Sequence, residues 1–305
     1  MVSESRHGHE PVLAESVLRL LDPRPGAVVL DGTVGSGGHA AVLIPRISPG
    51  GRYVGIDLDE AMLSVARERL GDAVGETVEL FTGNYADFPD CLQRAGLTQV
   101  DHMLLDLGMN SAQLDDPRRG FSFEQDGPLD MRFSPGQKER AVDLVNRLGE
   151  RELADLFYRF GQEGASRKIA RRICQVRHER RIRTTKVLAQ TVASALASGK
   201  GVVRGKIHPA TRVFQALRVA VNHELENLER FLPQVSRYLR PGGKLAVISY
   251  HSREDGIVKR FLREAKAEGT LREVTKRPVI PDALERKRNP RSRSAKLRVA
   301  ERTEA

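Results

Sequence analysis

The sequence predicts an α/β fold: a largely parallel sheet with helices on both faces, interrupted by a helical insertion. Three features predict it. Short apolar runs alternate with helix-period segments from Ala27 to Asp106. A glycine-rich stretch, DGTVGSGGH at 31–39, follows the first of these runs, as where a ligand must come close to the backbone. Finally, residues 115–136, rich in Gly, Pro and Asp, break the alternation, and helical periodicity alone follows them.

Ala27–Leu30 reads as a buried strand and Gly38–Ile47 as a helix. Arg52–Ile56 is the next strand and Glu60–Leu70 the next helix. Val78–Phe81 is a third strand, Cys91–Ala95 is helical, and His102–Asp106 is a fourth strand. From Ala141 to about Ser198 the pattern is helical throughout. Within Ser166–Arg181, Ile169, Ile173 and Val176 fall at helical spacing among arginines and a lysine, which predicts one buried stripe and a basic exposed face. GKGVVRGKIHP at 199–209 reads as a loop. The strand–helix theme returns at His208. Phe214, Leu217, Val221, Leu225, Leu228 and Leu232 keep a 3.6-residue period, which predicts one long helix. RPGG at 240–243 is expected to stop the chain before a strand at Lys244–Ser249. Glu273–Ile280 and Lys296–Ala300 are expected to close the sheet as an antiparallel pair.

The chain has 305 residues and a net charge of +10, unevenly distributed. Arg167–Arg212 carries thirteen Lys or Arg and one acid, and Lys276–Arg298 carries nine and two, so the remainder is acidic by nine charges. Two dense basic clusters on an acidic protein imply a polyanionic partner, nucleic acid being the commonest. No apolar run reaches the roughly 18 residues that a membrane helix needs, and residues 1–13 show no basic-then-apolar export pattern. Cys91 and Cys174 fit no metal or redox spacing and read as small buried apolar residues, so a reduced, cytoplasmic setting is expected. No His/Cys cluster suggests a metal.

The glycines from Gly35 to Ala40 satisfy the loose G-x-G-x-x-G/A pattern, which suits a nicotinamide dinucleotide as well as S-adenosylmethionine. Asp57, ending the second strand, is placed to hold ribose hydroxyls of either. Asp31 at the loop entrance would repel a pyrophosphate but not the cationic methionyl end of S-adenosylmethionine. The fourth strand also ends in an acid, Asp106, and a helix, RPGG and an apolar strand are the usual run into the fifth strand of class I methyltransferases.

The ordered motifs HEPVL at 9–13, DGTVGSGGH at 31–39, DLD at 57–59, LLDLG at 104–108, SAQLD at 111–115, RGFSF at 119–123 and GPLDMR at 127–132 continue in HPATRVFQALR at 208–218, VISYHSRED at 247–255 and NPRSRSAKLRVAER at 289–302. On these the chain resembles the bacterial ribosomal RNA small subunit methyltransferase H family, cytosine-N4 methyltransferases of 16S ribosomal RNA, over nearly its whole length. The resemblance implies a Rossmann-like class I core with a seven-stranded sheet, in two parts at 1–114 and 208–305, around a helical substrate-recognition domain at 115–207. It implies S-adenosylmethionine as cofactor and a cytidine near the decoding centre as target, in ribosomal RNA or an assembled small subunit. Gly37, Gly38 and His39 would approach the methionyl part, Asp57 would bind the ribose and Tyr85 would pack by the adenine, where the family often has Phe. Asp106 and Gln113 would complete the pocket. The chain departs from the family in Asn110–Ser111, where two serines are usual, in Ala112 for Pro, and in YHSREDG at 250–256 for FHSLEDR.

Cytosine's exocyclic amine has its lone pair delocalised into the ring, so methylation needs alignment and an acceptor at an N–H hydrogen. The Asn/Asp-Pro-Pro-aromatic motif of many amino-methyltransferases is absent. Asp106 is the candidate acceptor, with cofactor binding as its other reading. Ser249 and His251, at the end of the fifth strand, are second candidates, and His251 reads equally as a structural histidine. In the basic helical segment, Arg167, Lys168, Arg171, Arg172, Arg180 and Arg181 are the candidate RNA contacts.

Overall fold

The computed structural model describes residues 11–197 and 208–304, and the chain forms two units. One runs to Gly108 and resumes at Leu225; the other is Met109–Glu224. Of the predicted loop at 199–209, only His208 and Pro209 lie among the described residues, as do only the last three residues of HEPVL.

The first unit begins with helix α1 (Ala14–Leu21). Strands β1 (Val28–Asp31), β2 (Arg52–Asp57), β3 (Val78–Thr82) and β4 (Val100–Asp106) then alternate with helices α2 (Gly38–Ile47), α3 (Glu60–Leu70) and α4 (Phe88–Arg94). Each strand lies at or within a residue or two of its predicted span, because each is a short apolar run closed by an acid or a turn. All of the pairings among these four strands are parallel. Alternate side chains face opposite ways. Leu30, Val54, Ile56, Met103 and Leu105 therefore join one apolar core, and Val29, Tyr53, Leu104 and Ile248 join another on the other face.

The second unit holds α5 (Ser111–Asp115), α6 (Ala141–Arg147), α7 (Glu150–Gly161), α8 (Ser166–Glu179), α9 (Thr185–Ala197) and α10 (Thr211–Asn222) around a separate core. Ile169 and Ile173 are fully buried in that core, and Val176 is half-buried against it. Cys91 is buried as expected, whereas Cys174, on α8, is only partly so.

After α10 the chain returns through α11 (Glu224–Phe231), α12 (Val235–Tyr238), β5 (Leu239–Ser249), α13 (Ser252–Ala267), β6 (Leu271–Glu273), α14 (Ala283–Arg288) and β7 (Lys296–Arg302). The predicted long helix is two helices. His223 takes a left-handed conformation, φ 52°, and its N–H caps α10 by donating to the Val219 and Ala220 carbonyls. The apolar period continues in phase across this break, which is why the sequence hides it. Val213, Phe214, Ala216, Leu217 and Val221 pack in the core of the helical unit, so residues 208–224 group there and not with the sheet, and α5 does likewise at the other boundary.

RPGG does not interrupt β5. The strand passes through it with a register irregularity opposite Val100–His102, eased by Gly242 at φ 76°. The closing pair also differs from expectation. β7 lies antiparallel to β5 along Lys244–Ser249 and to β6 at Leu271–Glu273, while the 275–280 stretch keeps one bridge, Val279 to Leu297. The seven strands run in the order β3-β2-β1-β4-β5-β7-β6. This is the sheet of a class I methyltransferase, Rossmann-like, with a helical insertion. No helix among the described residues is long and apolar enough to cross a membrane.

Candidate active site

Strand order reverses between β1 and β4, and a parallel α/β sheet binds its ligands outside the carboxyl ends of the strands at such a point. Asp31, Asp57, Asp106 and Ser249 end β1, β2, β4 and β5 there. The turn after β1 needs glycine. A Cβ on Gly32 would come within 2.5 Å of a Leu105 methyl and 2.8 Å of Tyr85 Cβ, so Tyr85 lies directly against the loop. Gly37, at φ 78°, is the cap from which α2 starts with Gly38 and His39.

Asp57 organises the loop from β2. One carboxylate oxygen accepts the Gly35 N–H at 2.7 Å and the other the Asp59 N–H at 2.8 Å. Each oxygen keeps a second lone pair. Burial pushes the Asp57 carboxyl up to about 6, against the pull of these two amides.

Asp106 sits at the centre of a second network. Its N–H donates to Thr33 Oγ1 at 2.6 Å, its Oδ1 accepts the Gly108 N–H at 3.1 Å, and the Tyr250 hydroxyl donates to its carboxylate. Burial and the Asp106 charge hold that hydroxyl well above its usual range, so it stays a donor. Tyr250 reaches this position because Gly108 has no side chain: a Cβ there would lie 2.7 Å from the ring. His39 Nε2 stands 3.4 Å from Asp106 Oδ2, too poorly aligned for a hydrogen bond, and neither buried ring nitrogen of His39 has one.

Three further candidates hold the backbone here, His251 in the structural role that is one of its two sequence readings. Asp31 closes β1 at the loop entrance, but its side chain is buried. Its side chain is 1% exposed and accepts the Tyr53 hydroxyl at 2.6 Å and the Thr33 N–H at 2.9 Å, so it braces the turn from beneath. Ser249 donates to the Lys296 carbonyl at 3.4 Å, across to β7, and is buried there. His251 caps α13: its Nδ1 accepts the Glu254 N–H at 3.3 Å, while the buried Glu254 carboxylate accepts the Tyr250 and His251 amides at 2.7 and 3.1 Å. Both Ser249 and His251 therefore hold backbone in place. Gln113 lies in the helical unit, where its side chain accepts the Asn110 N–H in the capping box of α5. Thr33, Tyr250 and Glu254 escaped the sequence reading. Only Tyr250 left a signal there, as the residue replacing a usual Phe.

In the helical unit, Arg167, Lys168, Arg171 and Arg172 are exposed on α8, with Arg180 and Arg181 exposed just beyond it. Arg171 pairs with Glu150 at 3.3 Å, Arg181 with Asp143 at 4.0 Å, and Arg172 donates to Ser194 Oγ at 3.3 Å, all within the same unit.

Several known proteins resemble this chain over nearly its whole length. The Ribosomal RNA small subunit methyltransferase H of Syntrophobacter fumaroxidans is 46% identical over 308 residues, covering 96% of each chain. The protein of that name from Coprothermobacter proteolyticus is 46% identical over 291 residues, covering 95% of each chain. The one from a Cyanothece species is also 46% identical, over 97% of this chain and 95% of its own. Among solved structures, a putative rRNA-methylase from Clostridium thermocellum, 13% identical, aligns over 96% of this chain and 98% of that one with a TM-score of 0.47. The methyl donor of such a methylase core is S-adenosylmethionine. The MraW methylase family matches residues 6–303, the glycine loop, both carboxylate networks and the helical unit included, and the chain belongs to that family.

Proposed function

We propose that this protein methylates the exocyclic N4 amine of a cytidine in small-subunit ribosomal RNA, near the decoding centre. The observation that carries this is the pair of carboxylates at the switch point, Asp57 with lone pairs to spare and Asp106 held by Thr33, Gly108 and Tyr250. The relatives' shared name supplies the substrate class.

The residues present fit S-adenosylmethionine. The two remaining lone pairs of Asp57 suit a ribose diol, and the unbonded His39 nitrogens, buried beside the Gly37–Gly38 turn, suit the polar methionyl end. Tyr85, against the loop, offers a face for the adenine, and Gln113 is assigned to the pocket on the family resemblance. When bound, the cofactor supplies an electrophilic methyl group. Asp106 accepts a hydrogen bond from the cytosine amine, which frees its lone pair and holds it in line. Gly108, Tyr250 and Thr33 fix that carboxylate in advance, so no reorganisation is needed during the transfer. The amine is reached only with the base out of its stack. Ser249 and His251 shape the turn carrying Tyr250. The exposed cations Arg167, Lys168, Arg171, Arg172, Arg180 and Arg181 grip RNA phosphates.

The test is mass-spectrometric mapping of small-subunit ribosomal RNA, naked and assembled, after incubation with the protein and isotopically labelled cofactor. N4-methylcytidine at one site is the expected product. Label on carbon 5, on a ribose oxygen or on no nucleotide rules the reading out.

A further inference from the structure

The second basic segment, Lys276–Arg298, has no part in the function proposed above. Much of it folds around one cavity of the sheet unit. Arg286 from α14, Arg293 from the 3-10 turn at Pro290–Ser294 and Lys296 from the start of β7 converge on a cavity of about 240 Å³, with Pro281 as part of its apolar wall. Tyr250 and His251 close its inner side. Tyr250 is the residue whose hydroxyl donates to Asp106, so one aromatic side chain separates this cavity from the candidate acceptor.

The charges there are poorly neutralised. Arg293 has no hydrogen bond or ion pair among the described residues, and Arg286 has only a hydrogen bond from its Nε to the Asp282 carbonyl at 3.1 Å. Lys296 shares Asp255 with Arg298, at 3.4 and 2.7 Å. Two guanidinium groups and an ammonium therefore face a cavity where Asp255 is already bound twice and Glu254 is held by His251 and two backbone amides. Arginine forks match phosphate oxygens bidentately, and an apolar wall strengthens the interaction by lowering the local dielectric.

We propose that this cavity binds a backbone phosphate of the RNA substrate, next to the nucleotide presented to Asp106. The inference rests on the RNA methylation reading and adds to it a phosphate site within the catalytic unit itself. A phosphate held by Arg286 and Arg293 behind Tyr250 would fix the sugar–phosphate chain on one side of the displaced base. Such a contact positions without reading sequence.

The test compares full-length protein with the R286A/R293A variant, using a small-subunit ribosomal RNA fragment over a range of salt. Both arginines are exposed, so the fold should be retained, and a thermal melt checks it. The variant should bind the fragment at least tenfold more weakly at moderate salt. The slope of log affinity against log salt should shrink by roughly one, for the one phosphate no longer neutralised. Affinity for S-adenosylhomocysteine should stay within twofold. The control, K287A/R288A, removes two neighbouring charges of α14 that do not line the cavity, and should change the affinity and the slope much less. Unchanged RNA affinity in R286A/R293A overturns the proposal, as does an equal loss in the control, which would mark a diffuse charge effect. Inorganic phosphate is titrated separately: a phosphate-dependent rise in melting temperature that is lost in R286A/R293A without any change in RNA binding assigns the cavity to a free anion and also overturns it. Cavity-dependent RNA binding without any N4-methylcytidine would instead remove the cytosine reading and leave the phosphate site standing.

Discussion

Asp57 has to stay ionised where burial favours its neutral form, and this sets a pH dependence. The folded protein takes up a proton at Asp57 near pH 6, whereas the unfolded chain does so only in the usual carboxylate range. Between those values acidification stabilises the fold at this residue, because the buried charge is removed. Ligand binding moves the other way, since only the carboxylate can accept both ribose hydroxyls. Affinity for S-adenosylhomocysteine should be flat above about pH 7 and fall below about pH 6, and the melting shift it induces should shrink between pH 7.5 and pH 5. Asp57→Asn should remove this dependence and cost about 1.5–3 kcal/mol of cofactor binding, the range for hydrogen bonds to a charged group; calorimetry on the folded variant measures it, and an unchanged affinity would remove the ribose role. Asp106 calls for a different signature. Asp106→Asn should lower the methyl-transfer rate far more than it weakens cofactor binding, with equal losses making it a binding residue only. Tyr250→Phe, which takes away one of its donors, should have a smaller effect of the same kind, roughly two- to thirteenfold in rate for a hydrogen bond worth about 0.5–1.5 kcal/mol. Asp57 and Asp106 were legible because an acid closing an apolar strand is a local pattern. Thr33 and Tyr250 were not, because each meets Asp106 from another strand end, and that meeting depends on register.

Elements show the same division between local and non-local information. β1 to β4 and their helices could be read from apolar runs and turns, since each pattern ends where the element ends. The break between α10 and α11 could not. The apolar side chains stay in phase from Phe214 to Leu232, and nothing local reports that the first part packs in a helical core and the second against the sheet. β6 was misplaced for a related reason. Residues 273–280 have strand-like composition and do lie along the free edge of β7, but after Leu271–Glu273 the contact continues only through bonds of Val274 and Thr275 to Val299 and the Val279 bridge among the described residues. His223 gives the break a thermodynamic sign. A β-carbon in the left-handed region is strained, whereas glycine is at ease there. His223→Gly should therefore stabilise the protein by about 0.5–1 kcal/mol. In one continuous helix the same change would destabilise by a similar amount. A denaturant melt of the exposed-site variant distinguishes the two by the direction of its shift.

At the scale of the whole molecule, charge is the property that sequence reports best, because it needs no register. Arg167–Arg212 carries +12 and Lys276–Arg298 +7, set against an acidic remainder. RNA approaching such a protein is repelled over most of the chain and attracted at these two segments, within a screening length of about 8 Å at physiological salt. The first segment has a competing role: its arginines could serve to pin the fold. The structure indicates how little that would contribute. Arg171–Glu150 and Arg181–Asp143 are long, exposed pairs, and pairs of this kind contribute about 0–1 kcal/mol. Replacing Arg171, Arg172, Arg180 and Arg181 together by Ala should therefore leave the melting temperature nearly unchanged. It should weaken ribosomal RNA binding and flatten its salt dependence by up to about three to four units of slope, roughly 0.9 for each phosphate left without its cation. Affinity for S-adenosylhomocysteine should not change, because Asp57 and the glycine loop lie in the other unit. Melting, calorimetry and a salt titration of RNA binding on the same preparation separate the two roles. A variant that melts much earlier but keeps its salt slope would make these arginines structural, and the phosphate grip would then have to be sought elsewhere on the protein.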